Sequence, residues 1–159
     1  MPTLRRSIPI AFAIISILVT ACWVDVVPPS TDPNASPHPP VVIVETRGGE
    51  CPQGACDSTI AIEPDGRVHA TAPVRTEMGT LPDTSLQALL TEIAQADFAA
   101  IMSHPFTGTC PVAFDGQEMI YTFTTATGTE RIATCEVEVD PSHPLFVAVA
   151  AALAGVAPN

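Results

Sequence analysis

Lysine is absent from the 159 residues, and all six basic residues are arginines. A phosphate-binding loop and a Schiff-base enzyme both need a lysine amine, so neither is present. Aromatic residues make up only 5% of the chain, and 17 acidic residues give a formal charge of −11. Nucleic-acid binding needs basic side chains for phosphates and aromatic rings for bases. The composition therefore excludes a nucleic-acid partner, while 47% hydrophobic residues predict one folded domain.

The N-terminus has the pattern of an export signal. Arg5 and Arg6 precede an apolar run of 13 residues at positions 8–20. A transmembrane helix needs about 20 apolar residues, so this run is too short to span a bilayer. A positive segment followed by a short apolar one is typical of a cleaved signal peptide, which we place at residues 1–21.

The apolar run leads into Val19-Thr20-Ala21-Cys22, which resembles the lipobox of bacterial lipoproteins. The resemblance implies that Cys22 receives diacylglycerol and becomes the acylated, palmitate-bearing first residue of the mature chain. Two or three acyl chains hold a protein stably on a membrane. We therefore expect a lipid anchor on the extracytoplasmic side of the cell membrane or outer membrane. The alternative is an ordinary signal peptide with a chance cysteine.

Residues 22–40 predict a tether between the anchor and the domain. Prolines stand at positions 28, 29, 33, 37, 39 and 40, among mostly small or polar residues. Such a composition buries too little surface to fold and favours an extended chain. The folded domain is accordingly expected at residues 41–159.

Four cysteines remain in the predicted domain, an even number in an exported chain, where thiols are oxidised. Of the three pairings we favour Cys51 with Cys56, which share a short loop, and Cys110 with Cys135, which flank a predicted hairpin. A zinc site or a redox pair is the alternative. Redox pairs usually have two intervening residues and Cys51 and Cys56 have four, so disulfides are favoured.

The hydrophobic pattern predicts an α+β domain. Residues 41–44 form a strand, and a three-residue turn at Pro64-Asp65-Gly66 joins the next two. A helix begins with Thr84 as its cap, a hairpin pairs residues 117–126 with 129–139, and a last helix begins near residues 140–142. We expect a two-layer domain of order β-β-β-α-β-β-α, with an antiparallel sheet of about five strands and two helices on one face.

The first predicted hairpin has one aliphatic and one polar face. It pairs Ile62 with Val68 on the aliphatic face. The polar face carries Thr59 opposite Thr71, and an ion pair between Glu63 and Arg67. His69 is expected on this wetter face, as a surface histidine rather than a ligand.

The carboxylates of Glu136, Glu138 and Asp140 alternate along a predicted strand. We interpret the row as a solvated strand face, with weak calcium binding, joined by Asp115 and Glu118, as the alternative. No metal site, catalytic residue or cofactor is assigned. His104 and His143 are candidate bases without a recognisable partner.

Three short segments resemble a group of uncharacterised exported bacterial domains with a Cys-Pro loop. They are Glu50-Cys51-Pro52, Cys56-Asp57 and Pro64-Asp65-Gly66-Arg67-Val68. The resemblance implies the same layout over most of residues 41–154, and it implies no activity.

The expected function is a membrane-anchored binding or interaction module with an unknown protein or small-molecule ligand. Residues 47–57 and 103–118 form long loops, and rigid loops on a scaffold are where binding residues concentrate. The alternatives are a small secreted protease inhibitor that uses the Cys110 loop, and a hydrolase. The hydrolase requires Asp115, Glu118 or His104 to face another acid.

Overall fold

The computed structural model describes residues 38–51, 54–72 and 74–156, with Gly54 and Ala55 described by their backbone alone. Cys22, the predicted signal peptide and most of the predicted tether lie outside these residues. The strands are β1 (Val42–Gly48), β2 (Glu50–Cys51), β3 (Gly54–Ala55), β4 (Ser58–Ile62), β5 (Arg67–Ala72), β6 (Thr76–Thr80), β7 (Gln117–Thr125) and β8 (Gly128–Ala133). The helices are α1 (Asp83–Gln95), α2 (Phe98–Met102) and α3 (Pro144–Ala154), with a 3-10 helix at Pro111–Phe114.

Six strands form one antiparallel sheet in the order β6-β5-β4-β1-β7-β8, and β2 and β3 form a small separate ribbon. The predicted α+β fold is confirmed, with six strands in the main sheet instead of about five. The additional strand is β6, which lies at the edge of the sheet. Four of its five residues are exposed, so it lacks the hydrophobic alternation that would reveal a strand in the sequence.

One face of the sheet forms the hydrophobic core together with the helices. The strands contribute Val42, Val44, Ile62, Val68, Phe123 and Ile132, and the helices contribute Leu86, Leu89, Ile93, Ile101, Leu145, Phe146 and Val149. Helices α1 and α3 also contact each other. The two-layer arrangement, with helices on one face, therefore matches the prediction, and the short helix α2 is a third helix beside the two that were expected. Within the described part of the chain, no helix is long and apolar enough to cross a membrane.

The turn between β4 and β5 forms as predicted. Gly66 has φ 84°, a conformation that favours glycine, and its amide donates to the carbonyl of Glu63 at 2.9 Å. Ile62 lies opposite Val68, as expected from the pattern. Further along, a bulge places Thr59 opposite Ala72, so the predicted pairing of Thr59 with Thr71 is wrong.

The predicted surface position of His69 is also wrong. His69 is only 2% exposed, and its Nε2 lies 3.6 Å from Oε1 of Glu63, which is itself buried. Arg67, the expected partner of Glu63, instead pairs with Asp65 at 2.8 Å. Because β6 pairs with the far side of β5, His69 lies on an inner strand of the sheet and not on its edge strand.

Strand β8 is shorter than predicted and ends at Ala133. The amides of Glu136 and Val137 both donate to the carbonyl of Ala133 at 2.9 Å, which turns the chain away from the sheet. The prediction of one strand face carrying Glu136, Glu138 and Asp140 is therefore wrong, because these residues follow the end of the strand.

Two predicted helix starts are shifted. Helix α1 begins at Asp83 after Pro82, which makes no side-chain capping bond, so Thr84 lies in the first turn and is not the cap. Helix α3 begins at Pro144 rather than near residues 140–142, and its N-cap is His143. Proline at the first position fits the fixed φ of that residue type.

Candidate functional site

A cavity of about 260 Å³ lies where α2, the loop after it and the start of α3 meet. Its lining combines five titratable side chains with an apolar wall. The lining residues are Asp97, Ala100, Ile101, His104, Glu138, Asp140, His143 and Phe146. The cavity is therefore lined by both of the loop histidines that the sequence offered as candidate bases and by two of the three carboxylates in the predicted acidic row.

Two segments far apart in sequence meet beside this cavity. The amide of Phe106 donates to the carbonyl of Glu136 at 3.0 Å, and the amide of Glu138 donates to the carbonyl of His104 at 2.8 Å. Pro105 and Val137 form an antiparallel bridge between the two segments. This pairing fixes His104 next to Glu138.

The disulfides join the cysteine pairs that the sequence analysis favoured. Cys51 bonds to Cys56, and Cys110 bonds to Cys135. The second disulfide links the chain just after His104 to the chain just before Glu138. It therefore reinforces the pairing that forms one side of the cavity.

Asp140 is held in the cavity wall by its neighbour Ser142. Its Oδ1 accepts from the amide of Ser142 at 2.8 Å and from the hydroxyl of Ser142 at 2.7 Å. These hydrogen bonds, with a smaller contribution from His143, lower the pKa of Asp140 below its ordinary value. The carboxylate is therefore ionised at neutral pH, and Oδ2 is left outside these two bonds.

His143 has a defined proton arrangement. Its Nδ1 accepts from the amide of Leu145 at 3.3 Å, which caps α3. An acceptor nitrogen carries no proton, so the neutral ring carries its proton on Nε2. The ring meets Phe146 edge-on, with 5.9 Å between centroids. His143 can therefore offer a ligand an N–H donor at Nε2 while its Nδ1 caps α3.

Asp97 and the apolar wall are the parts of the cavity that the sequence analysis missed. Asp97 caps the short helix α2, because its Oδ1 accepts from the amide of Ala100 at 2.9 Å. Ile101 and Phe146 are buried and supply the apolar wall. An aspartate directly before an apolar run could have indicated the cap, but nothing in the sequence indicates that it lines the same cavity as His104.

The remaining candidate residues do not join the cavity. Glu136 is exposed, and both of its oxygens accept from Arg131 at 3.1 Å. Glu118 lies on β7 opposite Arg47 of β1. Asp115 follows the 3-10 helix with φ 60°. Among the described residues, no group of three histidine, cysteine or acidic side chains is placed to hold a metal ion.

The arrangement favours binding over nucleophilic catalysis. A serine nucleophile needs a base that takes its proton. Ser142 donates its hydroxyl to Asp140, whose lowered pKa makes it a weak base. His104 lines the cavity together with acidic residues, as the hydrolase alternative requires, but Asp115 and Glu118 are not among the lining residues.

Comparison of the chain with protein-family models, curated proteins and solved structures returned no match. The geometry of the chain itself therefore provides the basis for assigning a function.

Proposed function

We propose that this protein is a lipid-anchored lipoprotein of the extracytoplasmic side, and that its disulfide-bonded domain is a binding module. The pattern Val19-Thr20-Ala21-Cys22 supports the anchor, and the proline-rich residues that follow support a tether. Two disulfides in one small domain support an oxidising compartment. The membrane is the cell membrane or the outer membrane, reached through the acyl chains of Cys22.

The cavity beside His104 is the observation that carries the binding role. Ligand sites are typically concave and partly apolar, with a few polar groups placed around them. Here Ile101 and Phe146 supply the apolar wall, while His104, Glu138 and Asp140 supply polar groups. A disulfide and paired backbone segments hold this side of the cavity, so the site is preformed.

The anchor is tested by the mass of the native mature protein. We expect the chain to begin at Cys22 with a diacylglyceryl adduct and to lack four cysteine hydrogens through the two disulfides. A Cys22→Ser variant should keep its signal peptide or leave the membrane fraction. A native product that begins at Cys22 without an acyl group would refute the anchor.

The binding role is tested by blocking the cavity. Ala100 lines the cavity and is exposed, so Ala100→Trp should fill it without disturbing the core. Ala99→Trp places the same side chain on the next exposed position of α2, outside the lining. In a thermal-shift screen of small molecules on the mature protein, ligands should be lost with Ala100→Trp and kept with Ala99→Trp. Equal binding to both variants would remove the cavity as the site.

A protease inhibitor is the second candidate, because of Phe114. This side chain is 76% exposed on the loop that Cys110 anchors to Cys135. The loop is 3-10 helical at Pro111–Phe114, so an inhibitor would have to insert Phe114 without offering an extended strand. Incubation with serine and cysteine proteases tests this role: inhibition should be abolished by Phe114→Ala and unaffected by Val147→Ala, another exposed apolar site.

A further inference from the structure

We propose that the cavity binds an organic cation, an ammonium or guanidinium group carried on an apolar stem. The proposal rests on the proposed function, since it takes the cavity as the ligand site. It follows from two independent properties of the cavity, its charge and its apolar wall.

The charge of the cavity selects for a cation. Three of the lining residues, Asp97, Glu138 and Asp140, carry carboxylates, and none of the lining residues is an arginine. Arg131 is close in sequence to Glu138 and Asp140, but it forms an ion pair with Glu136. A concave surface with one sign of charge concentrates the field, and here it attracts cations.

The apolar wall distinguishes an organic cation from a metal ion. A metal such as calcium requires oxygen ligands on most sides. Here Ala100, Ile101 and Phe146 form part of the lining, and the described residues contain no metal-binding group of three. Acidic side chains alone would not define a ligand, whereas an apolar stem and a charged end together match this lining.

The polar atoms that remain available suit an N–H donor. One oxygen of Asp97 and one of Asp140 are used by hydrogen bonds within the chain, which leaves the second oxygen of each. Glu138 adds a third acceptor to the lining. An ammonium has three donors and a guanidinium five, so either can satisfy several carboxylates at once.

The probes for the test are benzylamine, benzyl alcohol and benzoate, which share one ring and differ in charge. Calorimetry and NMR titration of the mature protein at neutral pH and low salt measure their binding. We expect benzylamine to bind at least tenfold more tightly than benzyl alcohol and to shift the ring signals of His104 and His143. Benzoate should not bind, because the carboxylates repel it.

Substitutions of the carboxylates identify the residues responsible. Glu138→Gln and Asp140→Asn should each weaken benzylamine binding about tenfold, the size expected for a charge-assisted hydrogen bond. Glu136→Gln is the matched control, because it removes the same charge from the same segment outside the cavity. It should change the affinity less than twofold. An equal loss with Glu136→Gln would overturn the proposal in favour of diffuse attraction.

The two sources of such a cation are a free amine and a basic side chain of a peptide. Nα-acetyl-arginine amide and its neutral citrulline analogue distinguish them. Tighter binding of the arginine compound than of benzylamine assigns the site to peptide side chains, and the reverse order assigns it to free amines.

Failure of the proposal differs from failure of the proposed function. If benzyl alcohol or benzoate bound in the same cavity as tightly as benzylamine, the preference for a cation would be refuted. The proposed binding function would be unaffected. Displacement of benzylamine by equimolar calcium would show that the cavity prefers an inorganic cation and would overturn the inference of an organic one. No binding of any probe would overturn the inference, while the blocking experiment with Ala100→Trp would still decide the binding role.

Discussion

Glu63 and His69 form a polar pair inside the sheet, away from the cavity. His69 Nε2 lies 3.6 Å from Oε1 of Glu63, and both side chains are at most 5% exposed. The other oxygen of Glu63, Oε2, has no hydrogen-bond partner within the described part of the chain. A buried carboxylate is costly unless it is compensated, so Glu63 depends on His69.

Replacing His69 with alanine should therefore destabilise the fold by about 3 kcal/mol, because it leaves a cavity and an uncompensated carboxylate. Urea unfolding of the mature protein measures the change. Thr71→Ala is the control, since Thr71 is exposed two residues further along β5, and it should change the free energy of unfolding by less than about 0.5 kcal/mol. Equal effects of the two variants would show that the pair contributes nothing.

The hydroxyl of Ser142 is the first cause of the lowered pKa of Asp140. Ser142→Ala should raise the pKa of Asp140 towards its ordinary value, measured by NMR titration of the carboxyl carbon. A carboxyl whose pKa is lower in the folded state stabilises the fold above its unfolded pKa and loses this effect as pH falls through the folded value. At pH values above the unfolded-state pKa of Asp140, the Ser142→Ala variant should therefore be less stable than the unsubstituted protein. Ser103→Ala, whose hydroxyl bonds to Ala100 instead, should leave the pKa of Asp140 unchanged.

At the scale of elements, the two disulfides close loops of very different length. The sequence separation is 25 for Cys110 and Cys135 and 5 for Cys51 and Cys56. Replacing Cys110 and Cys135 with serines should lower the free energy of unfolding by about 3.5 kcal/mol, and replacing Cys51 and Cys56 should lower it by about 2 kcal/mol. The reason is that a disulfide closing a longer loop restricts the unfolded chain more. Urea unfolding of the two double variants measures both values. The reverse order would contradict the loop-length explanation.

The sequence predicted those elements whose signals are local. The turn at Gly66 and the pairing of Ile62 with Val68 follow from a turn motif and an alternating pattern, and both are present. The end of β8 was missed because valine and glutamate continue to alternate after Ala133 while the chain turns. That turn depends on pairing with residues 104–106, which no local pattern reports.

The candidate site was only partly predictable for the same reason. Glu138, Asp140, His104 and His143 attract notice as polar residues, but residues 104 and 138 meet only through a long-range backbone pairing. The inner position of His69 in the sheet was missed because it follows from β6, an edge strand without an apolar pattern. In each case the missing information is a contact between segments distant in sequence.

At the scale of the whole molecule, like charges repel one another. The formal charge is −11 at neutral pH, and the isoelectric point of the sequence is about 4.4. Such self-repulsion destabilises a folded chain and is screened by salt. Raising sodium chloride from about 10 mM to about 500 mM should therefore raise the Tm by several degrees at pH 7.

Repeating the salt series near pH 4.4, where the net charge is close to zero, provides the control. The increase in Tm should largely disappear there. An equal increase at both pH values would point to a general effect of salt on apolar burial.

The central position of β1 governs the order in which the sheet can form. β1 hydrogen-bonds to β4 on one side and to β7 on the other. A ribosome releases β1 early, and its second neighbour, Gln117–Thr125, leaves the exit tunnel only much later. One edge of β1 therefore stays without its partner strand while the residues between β1 and β7 are synthesised, and in this interval a chaperone or a translocation channel would have to shield it.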